Sequence, residues 1–205
     1  MDDERYGPDN NDESAVGESA QESYARKGSQ RFTYSDYLEW DDDKRWELID
    51  GVPILMTAPS WQHQKVSSNL HWLLYSMLKG KPCEVFYAPF DVRLNADTLD
   101  NTVVQPDLLV ICDVTKLEKT GCKGAPDFVI EILSPSTSSH DRVLKFDLYR
   151  KAGVREYWIV DLEIKKVFTH ILSNDDYVTR IYSETDVVPI SVLDNNTIDL
   201  AEVFQ

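Results

Sequence analysis

Very little in this sequence speaks for disulfides, a membrane or a grip on a polyanion. Cys83, Cys112 and Cys122 are an odd set with no CxxC spacing. That argues against a disulfide framework or a structural zinc site, and predicts reduced thiols in a cytoplasmic protein. No apolar run approaches the roughly 18 residues of a membrane span, so none is expected. The N-terminal segment is acidic and lacks an apolar core, so no secretory signal is expected. Bases are scarce: 21 Lys and Arg face 36 Asp and Glu, for a net charge of −15. No basic stripe is obvious, which opposes tight, non-specific binding to duplex DNA. The excess acid is uneven, with −5 in residues 1–30, −4 in 31–172 and −6 in 173–205.

What is present is enough for one domain. A chain of 205 residues, 42% of them hydrophobic, can bury a full core. Residues 1–30 are the exception: rich in Asp, Glu, Ser, Gly and Asn and almost free of apolar residues, they read as a disordered acidic tail. That leaves 31–205 as a single domain. Thr33 or Ser35 caps a short helix whose apolar side is Tyr37, Leu38 and Trp40. Residues 46–56 carry Asp50-Gly51 between two apolar arms, a hairpin signal. Val66, Leu70, Leu73, Leu74, Met77 and Leu78 repeat at helical spacing over about 61–79, closed by Gly80 and Pro82. Strands are expected at about 83–94, 103–112 and 126–133. A break at 134–137 precedes a helix from about Ser138, with Asp141 three residues on as a capping-box partner, ending near Ala152. Strands follow at 155–161, 165–172 and 177–184. The helical connection lets the strands on its two sides run parallel, while the three before it are expected antiparallel. The fold class is α/β: a mixed sheet flanked by helices, with an N-terminal hairpin and extra C-terminal strands.

Two of the apolar runs each hold one isolated acid. In 126–133, Val129, Glu131 and Leu133 share one face, and Phe128, Ile130 and Ile132 the other. In the earlier run Asp107 lies on the face of Leu109 and Ile111. Strands apolar on both faces are buried under helices, where a lone carboxylate is costly unless a positive charge neutralises it. Singly, each acid reads as a turn or solvent-facing residue. Together they point to a divalent cation, and hard oxygen ligands suit Mg²⁺ or Mn²⁺ rather than zinc.

The element order, with Glu47-Leu48-Ile49-Asp50-Gly51, Gln105-Pro106-Asp107-Leu108, Pro126-Asp127-Phe128-Val129-Ile130-Glu131-Ile132-Leu133-Ser134-Pro135-Ser136-Thr137, Asp141, Lys145, Tyr149 and 153–161, resembles the PD-(D/E)XK nuclease superfamily with its restriction-endonuclease-like fold. It is similar above all to the Uma-two branch, over about 31–172. The resemblance implies metal binding by Asp107, Glu131 and the Ile132 carbonyl. It also implies a catalytic lysine, and here the chain departs from the superfamily. The usual lysine two residues after the acid is replaced by Leu133. Lys145, on the following helix, is the substitute; its alternative is an exposed ion pair with Asp141, one turn away. Glu47 is a further member of the metal shell or an exposed hairpin residue. His63, near the start of the long helix, faces the site or is structural. Tyr149, one turn past Lys145, is read as core, with a hydrogen bond to a site group as the alternative.

The expected activity is Mg²⁺-dependent endonucleolytic hydrolysis of DNA phosphodiester bonds, with Mn²⁺ as a substitute ion. A homodimer is expected if both strands are cut by one site per chain. The competing expectation is a catalytically silent nuclease fold that binds a partner, which the acidic balance favours.

Overall fold

The structure is a computed structural model and describes residues 30–133 and 139–205. Segment 1–29, the break at 134–137, the capping residue Ser138 and the side chain of Asp141 lie outside the described residues. In chain order the elements are α1 (Tyr34–Tyr37), β1 (Trp46–Ile49), β2 (Val52–Leu55), α2 (Trp61–Leu78), β3 (Glu84–Tyr87), β4 (Val92–Arg93), β5 (Val103–Val104), β6 (Leu108–Ile111), β7 (Leu117–Glu118), β8 (Gly121–Lys123), β9 (Phe128–Leu133), α3 (Ser139–Ala152), β10 (Glu156–Asp161), β11 (Lys166–Ser173), β12 (Asp176–Ser183), β13 (Val187–Ile190), β14 (Asn196–Asp199) and α4 (Leu200–Val203). No helix among the described residues is long and apolar enough to cross a membrane.

The strands divide into two six-stranded sheets and a small pair. The larger sheet has the order β12-β11-β10-β9-β6-β3, the second β2-β1-β5-β4-β8-β7, and β13 pairs with β14. In the larger sheet β3, β6 and β9 are antiparallel neighbours, and β9 and β10 are parallel across α3. The sequence predicts that arrangement, because only a helical connection supplies a long enough crossover. The two faces of β9 belong to different cores. Phe128, Ile130 and Ile132 pack with Val66, Leu70, Leu74 and Leu78 of α2. Val129 packs with Tyr149 of α3 and with Ile49, Val92 and Val104 of the second sheet. Each face of β9 is therefore covered, as its unbroken apolar run requires.

The hairpin forms as expected, with Asp50 and Gly51 both at positive φ (48° and 78°), the backbone that a two-residue turn demands. A Cβ on Gly51 would meet the Phe32 backbone at 3.1 Å, so glycine also suits the close approach of the segment before α1.

Two long strands expected from the sequence are each divided between the sheets. The run 83–94 splits into β3 in the larger sheet and β4 in the second. The run 103–112 splits into β5 in the second and β6 in the larger. Both changes occur beside a proline, Pro89 and Pro106. Proline has no N–H to give a ladder, so the chain leaves one sheet there and enters the other. Asp107 therefore lies at the entry to β6, not within a strand.

The cysteines also require a correction. Cys83 and Cys112 form a disulfide, with Cα atoms 3.9 Å apart, and only Cys122 is free, buried with its thiol pushed up to about 11 by burial. The register explains the pairing: Glu84 lies opposite Ile111, so the residues just outside them face each other across β3 and β6. An odd cysteine count does not reveal this, because the pairing depends on a non-local strand register.

Candidate active site

Register alone brings the two isolated acids to one place. Leu108 opposes Ile130, so β6 ends while β9 runs on through Glu131 to Leu133. The Ile132 N–H, left without a β6 partner, donates to Asp107 Oδ2 at 2.7 Å. Asp107 thus caps the ladder and stands beside Glu131. The same oxygen lies 3.1 Å from His63 Nε2, from the first turn of α2, whose N-terminus is capped by the Ser60 side chain. The His63 ring is buried and its Nδ1 has no partner among the described residues. Burial is the largest single influence on His63 and opposes its protonation, but the Asp107 hydrogen bond and the Asp107 and Glu131 charges together outweigh it, and the group is raised from its ordinary value.

The other half of the site is a knot around Lys145. Its Nζ donates to Glu131 Oε1 and to Glu47 Oε1, each at 2.9 Å. Tyr149, one helical turn further along α3 and on the same face, donates to Glu131 Oε1 at 2.6 Å. Glu47 comes from β1 in the second sheet and is only 2% exposed. It also accepts the Gln105 N–H at 2.8 Å. Lys145 therefore ties the two sheets together through one acid from each.

Burial pushes Glu131 up strongly from the ordinary carboxylate range; Lys145 opposes this, and the Asp107 and Glu47 charges add to it. Burial works against the Lys145 charge, but Glu131 and Glu47 more than offset it and hold the ammonium above its usual value. Lys145 is cationic at neutral pH on this balance.

Of the residues singled out in the sequence, His63 and Asp107 form one hydrogen-bonded group and Glu47, Glu131, Lys145 and Tyr149 another, the two adjoining at Glu131 and Ile132 of β9. Tyr149 takes both of its readings, being fully buried and hydrogen-bonded to Glu131. Lys145 is turned inward to Glu47 and Glu131. Gln105 is the residue that the sequence reading missed. Its N–H holds Glu47, while its side chain accepts from Arg45 and donates to Asp91 and Tyr37. The Gln-Pro-Asp sequence was the available signal, since the residue before a proline adopts an extended backbone.

The donors suit a hard divalent cation. Asp107 Oδ1, Glu131 Oε2 and Glu47 Oε2 take no hydrogen bond among the described residues. Three carboxylates are set against one lysine, so formal charge here stays negative even with His63 protonated. Among the described residues no three side chains of His, Cys, Asp and Glu form a ready cage. A cation held here would have Asp107 and Glu131 available as side-chain ligands, with main-chain oxygens and water to complete its shell. That composition fits Mg²⁺, which keeps several waters when bound.

Comparison with known proteins agrees with this architecture. Residues 34–201 match the model of the Uma2 family, described as "Putative restriction endonuclease". An uncharacterized Synechocystis protein, slr1290, is 29% identical over 155 residues, spanning 74% of this chain and 80% of its own. A second, sll1609, is 27% identical over 134 residues, spanning 63% and 74%. The crystal structure of a "putative nuclease belonging to DUF820" from Anabaena variabilis superposes with a TM-score of 0.70 at 20% identity, over 84% of this chain and 97% of that one. At that identity the likeness is one of fold.

Proposed function

We propose, from the premise that this chain belongs to the Uma2 family, that it is a divalent-metal-dependent endonuclease hydrolysing DNA phosphodiester bonds at Asp107, Glu131 and Lys145. The observation that carries the reading is the Lys145 ammonium held between Glu131 and Glu47. It puts the charge normally carried by a strand lysine beside Glu131 by way of a helix, where Leu133 leaves the strand position apolar.

Each residue has a defined task. Asp107 is aimed by His63 Nε2 and the Ile132 N–H, and Glu131 by Tyr149, so both carboxylates meet an incoming charge with little reorganisation. Lys145 Nζ donates to the attacking water or to a non-bridging phosphate oxygen, offsetting negative charge as the water oxygen bonds to phosphorus and the leaving oxygen departs. A bound Mg²⁺ would supply Lewis-acid stabilisation of the same charge and acidify a water. The Cys83–Cys112 bond anchors edge strand β3 to β6, the strand that Asp107 immediately precedes.

The test is cleavage of supercoiled plasmid and of labelled oligonucleotides with Mg²⁺ or Mn²⁺. Wild type is expected to cut, while Glu131→Ala and Lys145→Ala fall to background. Equal background cleavage by all three overturns the reading. The second reading, a silent nuclease fold that binds a partner, is favoured by the net charge of −15; it predicts no heat of Mn²⁺ binding in calorimetry.

A further inference from the structure

In a chain with 36 acids, the 33 residues from Gly51 to Cys83 contain none, and they include Lys65, Lys79 and Lys81. This stretch contains α2. His63, Val66, Leu70, Leu74 and Leu78 are its buried residues. Trp61, Lys65, Ser68, Trp72, Tyr75 and Lys79 recur at spacings of three and four along the opposite side. The aromatic members are exposed far beyond what packing requires: Trp61 by 72%, Trp72 by 63% and Tyr75 by 53%. Tyr87, 60% exposed on edge strand β3, extends the row; the His71 ring meets it at 4.8 Å and stacks along Tyr75 at 6.2 Å.

One end of this row starts close in the chain to the candidate active site, with His63 turned inward to Asp107 and Trp61 outward from the same turn of α2. Trp61 precedes by two residues the histidine that contacts Asp107, and Tyr87 lies opposite Leu108, the residue after Asp107. Rings alternating with ammonium groups along an acid-free stretch of chain match a ligand with flat aromatic faces and a negative backbone. Stacking on such rings needs bases that are not enclosed in a duplex. A second copy is a poor occupant, because two such faces packed together would oppose lysine to lysine without an acid from α2 to pair them.

We infer that the outer face of α2, with Tyr87, is a platform for a single-stranded segment of nucleic acid running to Asp107 and Glu131. The inference deepens the nuclease reading and rests on it for the direction of the strand. It names an unpaired strand, rather than an intact duplex, as the form of substrate that is held.

The test is binding of a fluorescein-labelled oligothymidylate and of a matched duplex to the full chain in EDTA, so that binding is read apart from cleavage. Wild type is expected to bind the single strand more tightly, with quenching of tryptophan fluorescence. The W61A/W72A double variant is expected to weaken it by about thirtyfold, the loss of two stacked bases, with an unchanged thermal midpoint because both rings are exposed. Lys65→Glu with Lys79→Glu should flatten the salt dependence. Unchanged affinity in W61A/W72A, no binding by wild type, or a change only in sedimentation, which would mark a face for self-association, each overturns the platform. The nuclease reading fails separately: strand binding that the tryptophan variants abolish, with no cleavage in Mg²⁺ or Mn²⁺, leaves the platform standing without it.

Discussion

Two knots in this protein share one design, a single cation between two carboxylates, and differ in where they lie. Lys145 joins Glu47 and Glu131 between the sheets, with all three side chains largely shielded from water. Arg93 joins Asp100 and Glu118 at the rim of the second sheet, where the acids are 28% and 41% exposed, and its guanidinium lies 4.5 Å over the Tyr34 ring. At the rim, water solvates whatever the arginine does not. Between the sheets nothing else does, so each charge depends on its partners. The lesson is that burial, not the number of ion pairs, sets how strongly a knot acts on its charges: in the inner one it pushes the Glu131 carboxyl up.

The largest effect expected is for Lys145→Ala. Removing the cation strands two buried acids, and the loss should be about 3–5 kcal/mol in a urea titration with EDTA present. Mn²⁺ affinity by calorimetry should be unchanged or higher, since a competing charge is gone. A loss below about 1 kcal/mol would place the inner knot in the same class as exposed pairs.

Glu131→Gln sharpens the contrast in the other direction. Burial raises the Glu131 carboxyl from 4.5 to about 7 in the fold. Folded protein then binds this proton more tightly than unfolded chain. The associated stability is complete below about 4.5 and is lost as pH rises through about 7. Metal-free Glu131→Gln should lack that decline and melt at or above wild type near neutrality, with repulsion from Asp107 and Glu47 relieved. Parallel stability profiles for the two proteins from acid to neutral pH would refute the burial account.

Arg93→Ala should cost about 1 kcal/mol or less. Smallest of all is the effect of salt. Raising NaCl to about 1 M, where the screening length is near 3 Å, should erase most of the Arg93 contribution while leaving the Lys145 one nearly intact. Equal salt sensitivity in a comparison of the two alanine variants would show that both knots are open to solvent.

The contrast also explains what could be read in advance. The larger sheet was legible because its strands and helices carry periodic patterns long enough to recognise, from Val66 to Leu78 and from Phe128 to Leu133. Lys145 is singled out by the family resemblance once Leu133 is seen to replace a lysine, and Tyr149, one turn on, reads first as core. Beyond its β1–β2 hairpin, the second sheet was not legible. Strands such as Val92–Arg93, Val103–Val104 and Leu117–Glu118 are two residues long, too short for any alternation. Their positions follow from tertiary packing and from the sheet changes near Pro89 and Pro106. The burial of Glu47 depended on that unseen sheet. The part played by Gln105 was hidden for a further reason: it holds Glu47 with a main-chain N–H, a group that every residue except proline possesses. The disulfide required knowing that Glu84 would face Ile111.

Lys145 and Glu47 are 98 residues apart in the chain. They come from opposite halves of the folded region, one on a helix and the other on a hairpin strand. A ribosome releasing this protein therefore makes Glu47, Asp107 and Glu131 well before the lysine that completes their grouping. Until α3 docks across both sheets, the growing polypeptide has acids but no organised centre. The long-range tie thus sets an order of events: the grouping of Glu47, Glu131 and Lys145 is complete only once α3 has been made and docked.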